Sequence, residues 1–96
     1  MNIMRKQIAA ANWKMNLSQN EAETLLDQLV VSDLNLSENQ SAIFAVPAIY
    51  IPLAIQKLTS KKQMFVAAQN CHQKASGAYT GEIAASMYKS AGVNYI

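Results

Sequence analysis

The stretch "KQIAAANWKMNLSQNE", residues 6–21, decides the fold because a strand and the start of a helix follow each other directly in it. "KQIAAANWK" is short and apolar until its end, as is typical of a parallel strand covered by helices on both faces. Ser18 precedes Glu21 by three residues, a capping box that favours a helix start. The apolar residues behind it recur at helical spacing: Ala22, Leu25, Leu26, Leu29 and Val30. A strand followed by an amphipathic helix is therefore predicted.

Two further apolar strands follow the first helix. "AIFAVPAIY", residues 42–50, is rich in β-formers, and its Pro47 is expected to end or distort the strand. Pro52 stands where a helix can begin, so "PLAIQKLTS" predicts a short second helix. "MFVAAQNC", residues 64–71, is again apolar until its polar end and predicts the third strand.

The remaining segment predicts a long loop, a third helix and the start of a fourth strand. The loop is "HQKASGAYTGE", the helix is "EIAASMYKSAG" closed by Gly92, and "VNYI" begins the strand at residues 93–96. The order β-α-β-α-β-α-β predicts an α/β fold with a parallel sheet and right-handed crossovers.

Polar side chains concentrate at the carboxyl ends of the predicted strands, where ligands bind in such folds. Asn12 and Lys14 end the first strand, and Gln69 and Asn70 end the third. Side chains alternate along a strand, so Asn12 and Lys14 are expected to share one face. From the residues alone three roles are open for Lys14: a ligand for phosphate or carboxylate, an ion-pair partner, or a snorkelling surface residue. The pattern places a cation and an amide together at a candidate anion site.

Composition narrows the class of protein. The chain has 96 residues, 51% of them apolar, and a formal charge of +2, which fits one domain over residues 1–96. Without a basic cluster, nucleic-acid binding is not expected.

The cysteine count and the first apolar run indicate the cellular location. A single cysteine, Cys71, predicts a reducing compartment. The first apolar run is too short for a signal peptide or a membrane span, so a cytoplasmic location is expected. No metal-ligand cluster, nucleotide-binding glycine loop or nucleophile-histidine-acid set stands out, so neither a metal nor a cofactor is expected.

Two motifs carry a resemblance to a known family. "AANWKMN", residues 10–16, closely resembles the opening signature of the triosephosphate isomerase family. "QN" at 69–70 followed by "GAYTGE" at 77–82 resembles the third strand and loop of that family. The whole chain can be laid along the first three βα units and the start of strand four, about two-fifths of a TIM (β/α)8 barrel. The resemblance therefore implies the N-terminal part of such a barrel, incomplete in this chain.

The resemblance also implies an activity. The family consists of cytoplasmic homodimers that interconvert dihydroxyacetone phosphate and glyceraldehyde 3-phosphate in glycolysis and gluconeogenesis, through an enediol and without a cofactor. Asn12 and Lys14 match the substrate-binding pair. The family's histidine motif and glutamate base would lie beyond Ile96, and His72 stands in a different motif. We therefore expect these 96 residues alone to be inactive.

A dimer interface is implied by the same resemblance. The loop "GAYTGE" resembles the one that enters the neighbouring subunit, with Thr80 at its tip; its matching positions here are Gly77, Tyr79, Thr80, Gly81 and Glu82. Met15 would lie near the pocket that receives this loop.

Two other classes of protein share this alternation of strands and helices. One is a receiver-type signalling domain, which needs acidic residues where Lys14 and Asn70 stand. The other is a non-catalytic assembly fragment that docks onto the rest of a barrel or onto another copy.

Overall fold

The computed structural model describes residues 4–32 and 34–96, and its elements follow the predicted order. They are β1 (Gln7–Asn12), α1 (Gln19–Val31), β2 (Gln40–Ala45), α2 (Ile51–Leu58), β3 (Met64–Ala67) and α3 (Ala85–Ser90), with a 3₁₀ turn over Ala48–Tyr50 before α2. The described strands form one parallel sheet in the order β1-β2-β3. The predicted α/β fold is confirmed as βα repeats, and the sheet is open rather than closed into a barrel.

The strand register gives the sheet two different faces. Ala10 pairs with Ile43, which pairs with Phe65, and two residues later Asn12 pairs with Ala45. The alternate residues of β2 and β3 turn toward the helices and join the core, which consists of Leu26, Ala42, Phe44, Val46, Ile51, Ala54, Leu58, Met64, Val66, Ala68, Tyr88 and Val93. The helices therefore cover one face, and the row that contains Ala10 and Asn12 lies on the other.

Two of the predicted helix signals, the capping box at Ser18 and the glycine after the third helix, are confirmed. The Glu21 N–H donates to the Ser18 hydroxyl at 3.3 Å, and the Ser18 N–H donates to the Glu21 carboxylate at 3.0 Å. The hydrogen bond from the Ser18 backbone is the main cause that lowers the pKa of Glu21. At the end of α3, Gly92 has φ +102° and donates to the Lys89 carbonyl, while Val93 donates to the Tyr88 carbonyl. These two bonds form a Schellman motif, which requires a left-handed residue where glycine stands.

The first strand differs from its prediction in length and burial. It ends at Asn12 instead of continuing to Lys14, and every residue of it is exposed instead of covered on both faces. Among the described residues β1 pairs only with β2, so one edge and much of its surface stay open. Apolar composition alone does not reveal whether neighbouring strands and helices are present to cover a strand.

The predicted start of a fourth strand is present as a single parallel bridge between Ala67 and Tyr95. The Ala68 N–H donates to the Tyr95 carbonyl at 3.0 Å, which sets the segment beside β3 in the expected direction.

Two helices differ slightly from their predicted bounds. The second helix begins at Ile51, one residue before the expected Pro52, and α3 is shorter than the segment "EIAASMYKSAG" that predicted it.

Candidate functional site at the carboxyl edge of the sheet

An open groove lies on the face of the sheet that the helices leave uncovered. It is lined mainly by small and apolar residues of the three strands and of the last segment: Ala10, Ala11, Asn12, Ile43, Ala45, Ala67, Ala68, Gln69, Tyr95 and Ile96. Its two amide side chains are Asn12, the last residue of β1, and Gln69, two residues after the end of β3. Polar groups therefore meet at the edge where parallel α/β proteins bind ligands.

Lys14 lies in a tight turn directly after β1. Its φ is +57°, a left-handed conformation that is uncommon for any residue except glycine. The Asn12 carboxamide oxygen accepts from the Lys14 N–H at 2.8 Å, which stabilises this turn. The prediction that Lys14 continues the strand and shares one of its faces with Asn12 is therefore wrong. The two residues are brought together by a turn instead, and Lys14 is exposed.

Gln69 connects Lys14 to the other strands. Its carboxamide nitrogen donates to the Lys14 carbonyl at 2.9 Å and to the Ala45 carbonyl at 3.1 Å. The Trp13 N–H also donates to the Ala45 carbonyl, at 2.9 Å. A single side chain after β3 thus binds the carbonyls that follow β1 and end β2. This contact fixes the backbone of the lysine relative to the sheet.

The segment between β1 and α1 has two further internal restraints. The Asn16 side chain donates to the Trp13 carbonyl at 2.8 Å. Leu17 is also left-handed, with φ +79°, and its carbonyl accepts from the Tyr50 hydroxyl at 2.7 Å. We call residues 13–17 the lysine segment.

The loop after β3 carries the residues that the resemblance assigns to a dimer interface. Its base is closed because the His72 N–H donates to the Ile83 carbonyl at 2.8 Å. The rings of His72 and Tyr79 pack with centroids 4.3 Å apart, and the Glu82 N–H donates to the Tyr79 carbonyl. Gly77 and Gly81 both have positive φ, and Thr80 lies exposed between Tyr79 and Gly81. No hydrogen bond among the described residues joins this loop to Asn12 or Lys14.

Met15 projects from the lysine segment into solvent, with 94% of its surface exposed. It lines a shallow open groove together with Asn16, Leu17, Pro47, Ile49 and Tyr50. Ile49 is 77% exposed in the same groove. Two large apolar side chains are therefore presented side by side.

The chemistry that these groups support is anion recognition. A lysine ammonium is a compact cation with three donors. The Asn12 carboxamide, which lines the groove and accepts from the Lys14 backbone N–H, offers donor and acceptor groups; Lys14 itself is not among the groove residues. Within residues 4–32 and 34–96, no three metal-liganding side chains lie together. Over the same residues, no helix is both long enough and apolar enough to cross a membrane.

Sequence patterns did not reveal two contacts at this site. Tyr50 looked like the end of an apolar strand, yet its hydroxyl binds the lysine segment from 33 positions away. His72 lies in the predicted loop after the third strand, where the sequence indicates no partner for it, yet it is half-buried against Tyr79. Both contacts join positions that only the folded chain brings close. For Tyr50 the available signal was its hydroxyl at the end of an apolar run, three residues after Pro47.

Comparisons with known proteins identify a family to which the sequence is similar. The family model described as "Triosephosphate isomerase" matches residues 7–96. The triosephosphate isomerase of Flavobacterium psychrophilum is 44% identical over 93 residues, which cover 97% of this chain and 36% of that protein. The enzyme of Mycoplasma mobile is 38% identical, covering 97% of this chain and 39% of the relative. That of Chlamydia trachomatis serovar D is 40% identical, covering 95% and 33%.

The chain thus spans between a third and two-fifths of the length of these curated relatives. The matched residues include the lysine segment, Gln69 and the loop over residues 77–82.

Proposed function

Because this chain belongs to the triosephosphate isomerase family, we propose that it forms the first part of the active site of a triosephosphate isomerase. The reaction is the interconversion of dihydroxyacetone phosphate and glyceraldehyde 3-phosphate by proton transfer through an enediol, without a cofactor. The observation that carries the proposal is the position of Lys14, which Asn12 and Gln69 hold at the carboxyl edge of a parallel sheet.

Lys14 would bind the charge of the substrate and of the intermediate. A triose phosphate carries a dianionic group, and an enediolate develops further negative charge on oxygen. A fixed ammonium stabilises charge that grows toward the transition state, and the fixed backbone at Lys14 avoids reorganisation during the reaction. Asn12 would orient the substrate from the floor of the turn.

The proton transfers need an acid and a base, and among residues 4–32 and 34–96 no histidine or carboxylate lines the groove. Triosephosphate isomerase is itself the established example in which a glutamate acts as base and a neutral histidine polarises the carbonyl. Here His72 packs on Tyr79, and its Nδ1 accepts from the Lys74 N–H at 3.0 Å. Neither His72 nor Tyr79 is among the residues that line the groove. We therefore assign binding, and neither acid nor base catalysis, to the residues in this chain.

The test of this function is an isomerase assay on a barrel that contains these residues. Residues 1–96 are joined to the remaining part of the Flavobacterium psychrophilum relative; we call this protein the completed barrel. Conversion of glyceraldehyde 3-phosphate is followed by a coupled assay in enzyme prepared from an isomerase-deficient host. We expect turnover that is competitively inhibited by a phosphate-bearing substrate analogue. A folded completed barrel without turnover would refute the proposed function.

We further propose that the complete protein is a homodimer in the cytoplasm and acts in glycolysis and gluconeogenesis. The loop over residues 77–82 would enter the partner near Met15, which is consistent with the exposed pair Met15 and Ile49 beside an open groove. No nucleic-acid or membrane partner is proposed. The receiver-type alternative has no comparable support, because Lys14 and Asn70 occupy the strand ends where it needs acidic residues.

Gly77→Ala is expected to weaken the dimer of the completed barrel by about tenfold in dissociation constant. An added Cβ would lie 2.6 Å from Cε2 of Tyr79 at a φ of +143°, so the ring must leave its place and the backbone is strained. Strain of this kind costs roughly 1–3 kcal/mol, and tenfold corresponds to about 1.4 kcal/mol. Sedimentation equilibrium measures the effect. The matched control is Ser76→Ala, at the exposed neighbouring position, which should leave the dissociation constant unchanged.

An unchanged dissociation constant in Gly77→Ala would show that the conformation of this loop does not matter for association. A completed barrel that is monomeric before any substitution would refute the proposed homodimer directly.

A further inference from the structure

The hydroxyl of Tyr50 joins two connections that are far apart in sequence. Tyr50 ends the 3₁₀ turn that follows β2, and Leu17 lies between β1 and α1. The hydroxyl donates to the Leu17 carbonyl at 2.7 Å, in a partly buried setting 33 residues apart. A short hydrogen bond shielded from water contributes more to local order than an exposed one does.

Leu17 needs an external restraint because its conformation is unfavourable. Its φ of +79° lies in the left-handed region, where the Cβ of a non-glycine residue is crowded. A leucine has no short polar side chain that could stabilise this conformation locally, as an asparagine does. Without a partner for its carbonyl, the backbone at Leu17 would relax toward negative φ. The Tyr50 hydroxyl opposes this relaxation at the carbonyl of the Leu17–Ser18 peptide, and the Glu21 carboxylate binds the N–H of the same peptide.

A change of backbone conformation at Leu17 would alter the backbone conformation at Lys14. The two left-handed residues are separated only by Met15 and Asn16, within one lysine segment. Asn16 binds back to the Trp13 carbonyl, and Gln69 holds the Lys14 carbonyl from the other side. The segment is therefore held at both ends, by Gln69 near its start and by Tyr50 at its end. If the hydrogen bond at one end is lost, the position of the Lys14 backbone is no longer fixed.

We propose that Tyr50 is a positioning residue for Lys14, acting through its hydrogen bond to the Leu17 carbonyl. It touches neither substrate nor reacting atoms; it keeps the strained lysine segment in the conformation that presents the ammonium. The role of Lys14 in substrate binding rests on the proposed function, whereas the hydrogen bond and the strained residue are features of the fold.

Tyr50→Phe in the completed barrel removes the hydroxyl and keeps the ring. We expect kcat/KM for the triose phosphate to fall about fivefold, the factor that corresponds to one net hydrogen bond. The assay is run well below the melting temperature of the variant, so that loss of folded protein does not contribute. The matched control is Tyr88→Phe, which removes a hydroxyl from the buried tyrosine of α3, outside the lysine segment. It should leave kcat/KM unchanged.

A second variant separates positioning from general stability. Leu17→Gly relieves the strain, because glycine adopts the left-handed conformation about as readily as the right-handed one. Introduced into Tyr50→Phe, it should restore at least half of the lost factor in kcat/KM on a logarithmic scale. If the tyrosine merely stabilises the fold, Tyr50→Phe lowers the melting temperature but leaves kcat/KM unchanged, and Leu17→Gly has no loss to restore. That pattern would overturn the proposal.

Backbone chemical shifts distinguish failure of this inference from failure of the proposed function. Tyr50→Phe should move the resonances of residues 14–17, whereas Tyr88→Phe should not. If those resonances stay in place, Tyr50 does not hold the segment, whatever the kinetics show. If they move while Lys14→Ala leaves the kinetics unchanged, the proposed role of Lys14 fails. The positioning of its backbone by Tyr50 is then established, but positioning for substrate is refuted.

Discussion

Replacing Lys14 with alanine is expected to lower kcat/KM of the completed barrel by about 100-fold or more. A preorganised group that binds charge developing in the transition state is typically worth roughly 3 kcal/mol. Lys14 fits that description because its backbone is restrained by Asn12 and Gln69 before any substrate arrives. Both parameters should change: KM rises because the phosphate loses a partner, and kcat falls because the enediolate loses one. Steady-state kinetics in a coupled assay measures both.

The matched control is Lys62→Ala, which removes the same charge at an exposed position before β3, at the amino end of that strand. A general effect of net charge on the encounter with an anionic substrate would appear in both variants and would weaken with salt. A local role appears in Lys14→Ala alone. Unchanged kinetics in Lys14→Ala would mean that the lysine only shapes the turn after β1.

Lys14 also shows which features of the site can be predicted from the sequence and which cannot. The residues "NWK" after an alanine-rich strand predicted that Asn12 and Lys14 share one face of a strand, whereas in the structure the Asn12 side chain accepts from the Lys14 backbone N–H. The prediction from strand periodicity fails because the strand stops at Asn12 and a left-handed turn follows. A left-handed lysine cannot be anticipated from local propensity, which disfavours it. It exists because the Asn12 and Gln69 side chains bind the backbone on both sides of it.

The helices were predictable for the opposite reason: their signals are local. Ser18 and Glu21 contact each other across a single turn. At the end of α3, Gly92 donates to a carbonyl three positions back and Val93 donates to one five positions back. Burial of a strand depends instead on which elements lie next to it. An apolar run such as that of β1 therefore predicts a strand well and its exposure poorly.

The exposure of β1 leads to the other prediction with a large effect. A polypeptide of only these 96 residues should show no isomerase turnover above background, because proton abstraction needs a positioned base and none of the described residues that line the groove is a carboxylate or a histidine. It should also associate or remain partly unfolded. Ile8 is 49% exposed on β1, and Ile96 is 59% exposed at the rim of the open groove. Within the described residues, β1 has no partner on its outer edge, and such an edge pairs readily with other chains.

Analytical ultracentrifugation combined with urea unfolding tests the state of this polypeptide. We expect oligomers whose proportion rises with concentration, or a shallow unfolding transition without a folded baseline. The activity arm uses protein from an isomerase-deficient host, with the completed barrel as positive control. A monodisperse monomer with one steep transition would show that the open three-stranded sheet is stable by itself, contrary to expectation.

A pair of substitutions identifies the surface responsible for association. Ile8→Lys places a charge on the edge strand, and charges at such positions oppose edge-to-edge pairing. Val31→Lys adds the same charge at the end of α1, where valine is also exposed. If the β1 edge drives association, Ile8→Lys shifts the sedimentation profile toward monomer and Val31→Lys does not. Equal effects of the two variants would indicate non-specific hydrophobic association, since the edge strand would then have no special role.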